Sequence, residues 1–182
     1  MERGAELYNK YLRGDNEALE QLVIGYGDGL IGYAYCFLHD FAAAEDVMED
    51  TFATLIVKRK RFVSRAPFEA YLFRIARNKC LDRLRKAKRE TRLDESAELA
   101  AAANVEDDAL KVVRDEKVYK SMLTLPRDYR TVLYLTYYQG FTADDIVSAL
   151  GKNKKQVYNL LSRAKAALKQ LLIKEGIGYE DL

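Results

Sequence analysis

The sequence predicts an all-α protein in two units. A four-helix bundle is expected over residues 1–90, an acidic linker over 91–112 and a C-terminal helix-turn-helix unit over 113–175. Three observations carry that expectation. Apolar residues recur every three or four positions along nearly the whole chain, the spacing of amphipathic helices. Only Pro67 and Pro126 interrupt this periodicity. Residues 91–112 lack apolar bulk and carry six acidic residues. That composition favours a connecting segment with transient helix over the alanines at 100–103, a well-ordered connecting helix being the alternative.

The elements follow in order. Residues 17–26 place Ala18, Leu19, Leu22 and Val23 on one stripe, and residues 30–38 are nearly all apolar, as a central bundle helix requires. Residues 42–58 turn Val47, Met48, Phe52, Leu55 and Ile56 inward and Asp46, Glu49 and Asp50 outward. Residues 68–88 bury Phe68, Tyr71, Leu72, Ile75, Ala76 and Leu84 behind a strongly basic outer face. Short connections between four such helices make a bundle. In the second unit, Leu125-Pro126 breaks the chain, because the residue before proline is pushed out of helical geometry. A helix over 128–138 is followed by Gly140, which can stop it, and Thr142, which can cap the next. That next helix runs over 143–150 to Gly151, and a basic helix closes the unit from about 154 to 174.

With 182 residues, 49% of them hydrophobic, the chain has enough apolar material for packed cores. Its net charge of +2 conceals opposed blocks: −8 over residues 1–57, +11 over 58–92, −5 over 93–151 and +7 over 152–174. Two basic blocks set between acidic ones point to a polyanion partner, with solvated lysine-rich helix faces as the plain alternative.

Residues 142–164 fit a helix-turn-helix: Ile146 and Leu150 face the core, Gly151 takes the turn, and Val157 and Leu160 anchor the second helix. Asn153, Lys154, Lys155, Gln156, Tyr158, Asn159 and Arg163 are left for DNA, the amides and arginine able to read base edges and the lysines to pair with phosphates. The other basic block offers Lys58, Arg59, Lys60 and Arg61, then Arg74, Arg77, Asn78, Lys79, Arg83 and Arg85. Arginines interleaved with Phe, Tyr and Asn suit an unpaired strand.

Catalysis is disfavoured. The single His39 has no triad or multi-histidine zinc constellation around it, so neither a metal nor a cofactor is expected. Gly25-Tyr26-Gly27-Asp28-Gly29 has the wrong spacing for a dinucleotide fingerprint, and no strand precedes it. Cys36 and Cys80 read as two buried free thiols of a reducing cytosol. The charged start suggests no signal peptide, and residues 30–38 fall far short of the roughly 20 that span a membrane. A cytoplasmic protein without membrane insertion is therefore expected.

The motifs together resemble those of the bacterial extracytoplasmic-function sigma factors, the small two-domain specificity subunits of RNA polymerase. Gly14-Asp15 with Ala18, the run from Ala44 through Asp46-Val47 to Thr51-Phe52, Tyr71-Leu72-Phe73-Arg74-Ile75-Ala76-Arg77-Asn78 and Leu81-Asp82-Arg83-Leu84-Arg85 resemble that family's region 2. Leu125-Pro126-Arg127, Arg130-Thr131-Val132-Leu133, Tyr138-Gln139-Gly140-Phe141-Thr142 and Leu161-Ser162-Arg163-Ala164-Lys165 resemble region 4. Glu49 stands where Gln is usual, Tyr71 for Trp, Val147 for a small Ala, and Lys152 for an apolar residue after the turn glycine.

The resemblance implies roles for these residues. Glu45, Asp46, Glu49, Asp50 and Phe52 would dock on core RNA polymerase. Lys58, Arg59, Arg61, Arg74, Arg77, Asn78, Arg83 and Arg85 would meet the −10 element of promoter DNA, with the loop at 63–67 holding an extruded base. The helix carrying Asn153 to Arg163 would read the −35 element, and the acidic linker would run toward the RNA exit path. An anti-sigma factor can be a further partner. A stand-alone helix-turn-helix regulator is the alternative, but it leaves the acidic helix at 45–52 without a task. A sigma-like interaction module without promoter activity is a third reading.

Overall fold

The computed structural model describes residues 2–59, 62, 66–93 and 116–176. These residues form eight helices: α1 (Glu2–Leu12), α2 (Asn16–Leu38), α3 (Phe41–Lys58), α4 (Phe68–Leu93), α5 (Glu116–Leu123), α6 (Arg127–Tyr137), α7 (Ala143–Leu150) and α8 (Lys154–Lys174). The all-α expectation holds. Of the expected linker, α4 takes in residues up to Leu93, and 94–112 lie outside the described residues.

The bundle has four helices, though not the four expected. Residues 2–12 form an amphipathic helix that buries Leu7, Tyr8 and Tyr11, and the Tyr8 hydroxyl donates to the Leu55 carbonyl at 3.3 Å. The two segments expected at 17–26 and 30–38 are one helix, α2, which passes without a break through Gly25, Gly27 and Gly29. Glycine weakens a helix interior by about 1 kcal/mol against alanine. Here tertiary packing outweighs that cost. Inward-facing assignments shift in detail too: Val23 and Ile56 are exposed, while Phe73 and Cys80 join the core.

Side-chain caps fix where the helices begin. Asp15 accepts from the Ala18 N–H at 3.2 Å and Asp40 from the Ala43 N–H at 3.0 Å, each satisfying a donor that has no partner within its helix. Only His39 and Asp40 separate α2 from α3. His39 closes α2 in the left-handed region at φ 52° and donates its N–H to the Tyr35 carbonyl. Thr142 and Asp145 form a capping box at the start of α7, as Asn153 and Gln156 do for α8.

The second unit packs α5 to α8 around Tyr119, Val132, Leu133, Ile146, Val157 and Leu168. It lies directly on the first, because α6 runs antiparallel along the C-terminal half of α2. The Arg127 guanidinium sits over the Phe37 ring, Arg130 Nε donates to the Cys36 carbonyl, and the Tyr134 ring lies 6.3 Å from that of Tyr33. Beyond it, Phe73 of α4 meets Phe141 edge to face at 5.2 Å. The two units share one continuous apolar core.

Two outcomes follow. Thr142→Ala removes one half of a capping box and is expected to cost about 1 kcal/mol in urea unfolding. His39 is half-buried, and that burial, followed by the nearby Arg130 charge, holds its imidazole below the ordinary value of 6.5. The unfolded chain therefore takes up the proton first, and stability is expected to fall as pH drops through about 6.5 toward the native value. His39→Asn, which tolerates the left-handed cap, is expected to lack that component when unfolding is compared at mildly acidic and neutral pH.

Candidate nucleic-acid interface

An amphipathic helix that packs against a bundle must put its polar residues on the far side. On α3 these are Glu45, Asp46, Glu49 and Asp50, all exposed, at spacings that place Asp46 and Asp50 one turn apart on a single face. Phe52 is 4% exposed and lies within the core, behind that strip. Arg83 reaches across from α4 to both carboxylates, 3.1 Å to Asp46 and 3.3 Å to Asp50. The acidic and basic faces are thus stitched together at one edge.

The basic residues divide by surroundings. Lys58 is exposed at the end of α3, and Arg59 caps that helix in the left-handed region at φ 40° with its guanidinium over the Tyr11 ring. Lys60, Arg61 and residues 63–65 lie outside the described residues. Along α4, Arg74 and Asn78 are exposed, and Arg85 is exposed and pairs with Asp82 at 2.5 Å. Arg77 is half-buried and lines a crevice between the units with Phe37, Arg127, Asp128, Leu150 and Lys152.

In the second unit Gly151 sits at φ 61° and its N–H donates to the Val147 carbonyl at 2.9 Å, so the tight turn forms with Val147 and Lys152 in place. Lys155, Tyr158, Asn159 and Arg163 are exposed on α8 at three- and four-residue spacings, hence on adjoining faces. Asn153 and Gln156 use their side-chain oxygens in the cap, which leaves their amide NH2 groups for other acceptors. Lys154 pairs with Asp144 at 2.9 Å, and that hydrogen bond holds its ammonium above the usual lysine range. Beside α8 lies an open hollow of about 600 Å³ lined by Tyr129, Lys152, Gln156, Asn159, Leu160 and Arg163. Tyr129 was not legible as part of this surface, because it comes from α6 and only the fold brings it to the hollow.

Among the described residues, no group of three or more His, Cys, Asp and Glu side chains could hold a metal ion, and no helix is long and apolar enough to cross a membrane. Cys36 and Cys80 are free and buried, and burial pushes both thiols up to about 12, so they stay protonated and inert near neutrality.

Comparison with known families decides what these faces belong to. The sequence matches Sigma-70 region 2 over residues 22–90 and Sigma-70, region 4 over residues 115–168. The chain belongs to the extracytoplasmic-function sigma factors. It is 28% identical to the RNA polymerase sigma-H factor of Pseudomonas aeruginosa over 182 residues, covering 94% of each chain. It is also 28% identical to the ECF RNA polymerase sigma factor SigW of Bacillus subtilis, covering 88% of this chain and 91% of the other. The solved structure of CnrH in complex with the cytosolic domain of CnrY superposes with a TM-score of 0.66 at 28% identity, covering 94% of this chain and 98% of that one. In this sigma factor the region 2 match takes in α3, α4 and most of α2, and the region 4 match takes in α5 to α7 and most of α8.

The Arg83 bridge joins two exposed helices, with side-chain exposure of 37% for Arg83 and 61% and 51% for its partners. Solvent screening at such a site limits what it contributes. A double-mutant cycle of Arg83→Ala with Asp50→Ala is expected to give a coupling below about 1 kcal/mol, readable as urea midpoint shifts.

Proposed function

We propose that this sigma factor works through three surfaces at once. The exposed strip of Glu45, Asp46, Glu49 and Asp50, supported from behind by Phe52, docks on core RNA polymerase. The basic face of α4 with the end of α3 (Lys58, Arg59, Arg61, Arg74, Arg77, Asn78, Arg83 and Arg85) holds the −10 element as it opens. Asn153, Lys154, Lys155, Gln156, Tyr158, Asn159 and Arg163 read the −35 element. The corresponding division of the chain is 1–90 for polymerase and −10 binding, 91–112 as linker and 113–175 for −35 binding.

One observation supports this reading above the rest: acidic and basic side chains occupy separate exposed faces of adjacent helices. Such sorting suits two chemically different partners bound together. Phosphates would pair with the lysines and arginines, and base edges with Asn159, Arg163 and the cap amides. Promoter selection is a binding task and needs no catalytic group, so we assign none. Its place is the cytoplasm, with the polymerase. Because CnrH was solved with the cytosolic domain of CnrY, an anti-sigma factor is a fitting further partner.

Pull-down with core polymerase followed by run-off transcription tests the whole reading, and failure to bind core at moderate salt overturns it. Asp46→Arg combined with Asp50→Arg is expected to abolish core binding while the helical circular dichroism is kept; normal binding would remove the docking role from α3. Lys155→Ala and Arg163→Ala are each expected to weaken −35 DNA binding and to reduce its log–log salt slope by about one. An unchanged slope would exclude phosphate contact there.

A further inference from the structure

The glycine run in α2 is absorbed by none of these roles. Gly29 and Gly32 lie three residues apart, on one side of the helix, and both are in contact with the second unit. A Cβ on Gly32 would fall 2.8 Å from Cζ of Tyr134, and the nearest atoms all belong to that side chain. A Cβ on Gly29 would fall 2.7 Å from Oε1 of Gln139. Gly25 and Gly27, in the same helix, face open space for such an atom. Glycine is thus required where α6 crosses, and only there.

A polar contact seals the same crossing. Near the end of α2, the Cys36 carbonyl belongs to the last turn, whose acceptors have no partner within the helix. Arg130 supplies that partner from α6, while its Nη1 donates to the Leu125 carbonyl in its own unit at 2.9 Å.

Over α4 the packing has a cost for DNA. Arg74 reaches to the turn glycine Gly151, with Nη2 3.9 Å from where a Cβ would stand, and Arg77 lies in the crevice against Leu150 and Lys152. A nucleic-acid strand cannot reach Arg77 while the α7–α8 turn occupies that space. Lys155, Tyr158, Asn159 and Arg163 stay exposed in the same arrangement.

We propose that the free chain rests in a closed form in which α6 and the α7–α8 turn withhold Arg74 and Arg77 from single-stranded DNA, latched at Gly29 and Gly32. The inference rests on the reading of α4 as the −10 face. Arg77, Arg127 and Lys152 crowd one crevice in which Asp128 is the only acidic group, so the closed form gathers like charges. Screening favours it, and a polyanion opposes it by giving those cations phosphate partners.

Gly29→Ala combined with Gly32→Ala tests the latch. Alanine is the better helix former, so the double variant wedges the crossing apart without weakening α2 itself. Arg130→Gln releases the same contact from the opposite side and serves where the alanine pair folds poorly. Small-angle scattering of the wild-type chain is expected to give a radius of gyration near that of a compact chain of this length, about 16 Å. Both variants are expected to be larger by several Å, with faster amide exchange over residues 29–38 and 130–141. Binding of a labelled oligothymidine of about twelve nucleotides is expected to tighten about three-fold or more, as the binding-competent fraction rises. Adding Arg74→Ala and Arg77→Ala is expected to abolish that gain.

A compact double variant with unchanged exchange overturns the latch. An expanded variant with wild-type affinity for the oligonucleotide overturns the occlusion. Loss of polymerase binding by the wild-type chain would instead remove the sigma reading, and scattering and exchange would still judge the latch.

Discussion

The structure depends on one constraint, that α2 must be buried on nearly every side. From Leu30 to Phe37 the helix carries apolar and small side chains around its whole circumference, and seven of those eight residues are buried. A helix that is apolar all round cannot be satisfied by one neighbour. Helices α1, α3 and α4 cover one part of it, and the remainder is left to α6. The four-helix bundle and its contact with the second unit thus answer the same demand.

Tyrosine carries much of that answer. Tyr33, Tyr119, Tyr134 and Tyr138 form a chain of ring contacts from α2 into the second unit, with centroid separations of 5.3 to 6.3 Å. Each ring buries a large apolar surface, and paired rings add about 0.5–1.5 kcal/mol beyond that burial. The hydroxyls of Tyr33 and Tyr134 are held in the neutral form, chiefly by burial, which raises them above the usual tyrosine range. The aromatic seam is therefore uncharged throughout the range in which the protein would work.

How much of this was legible follows a physical rule: local signals could be read, and long-range ones could not. Helices α3, α4, α6, α7 and α8 follow from periodicity and stop signals, and the α8 boundaries at 154 and 174 coincide with the expectation. Thr142, Gly151 and the exposed acids of α3 were readable for the same reason. The break expected inside α2 came from glycine's poor helix propensity, which is correct locally and overruled by Tyr134, a residue over a hundred positions away in sequence. Arg83 read as a free basic residue because Asp46 and Asp50 belong to another helix. The α8 cap is different, since Asn153 and Gln156 stand at capping-box spacing and a closer reading would have found it. Residues 2–12 carry the helical spacing of Leu7, Tyr8 and Tyr11, but with too few turns to stand out from an ordinary terminus.

The junction between α2 and α3 leaves no slack. His39 and Asp40 are both spent on caps, one ending α2 and the other starting α3, so neither can act as a hinge without exposing backbone groups. Torque applied to the outer face of α3 therefore passes directly into α2. The two helices behave as one bent lever, with the acidic strip on one arm and the seat of Tyr134 on the other.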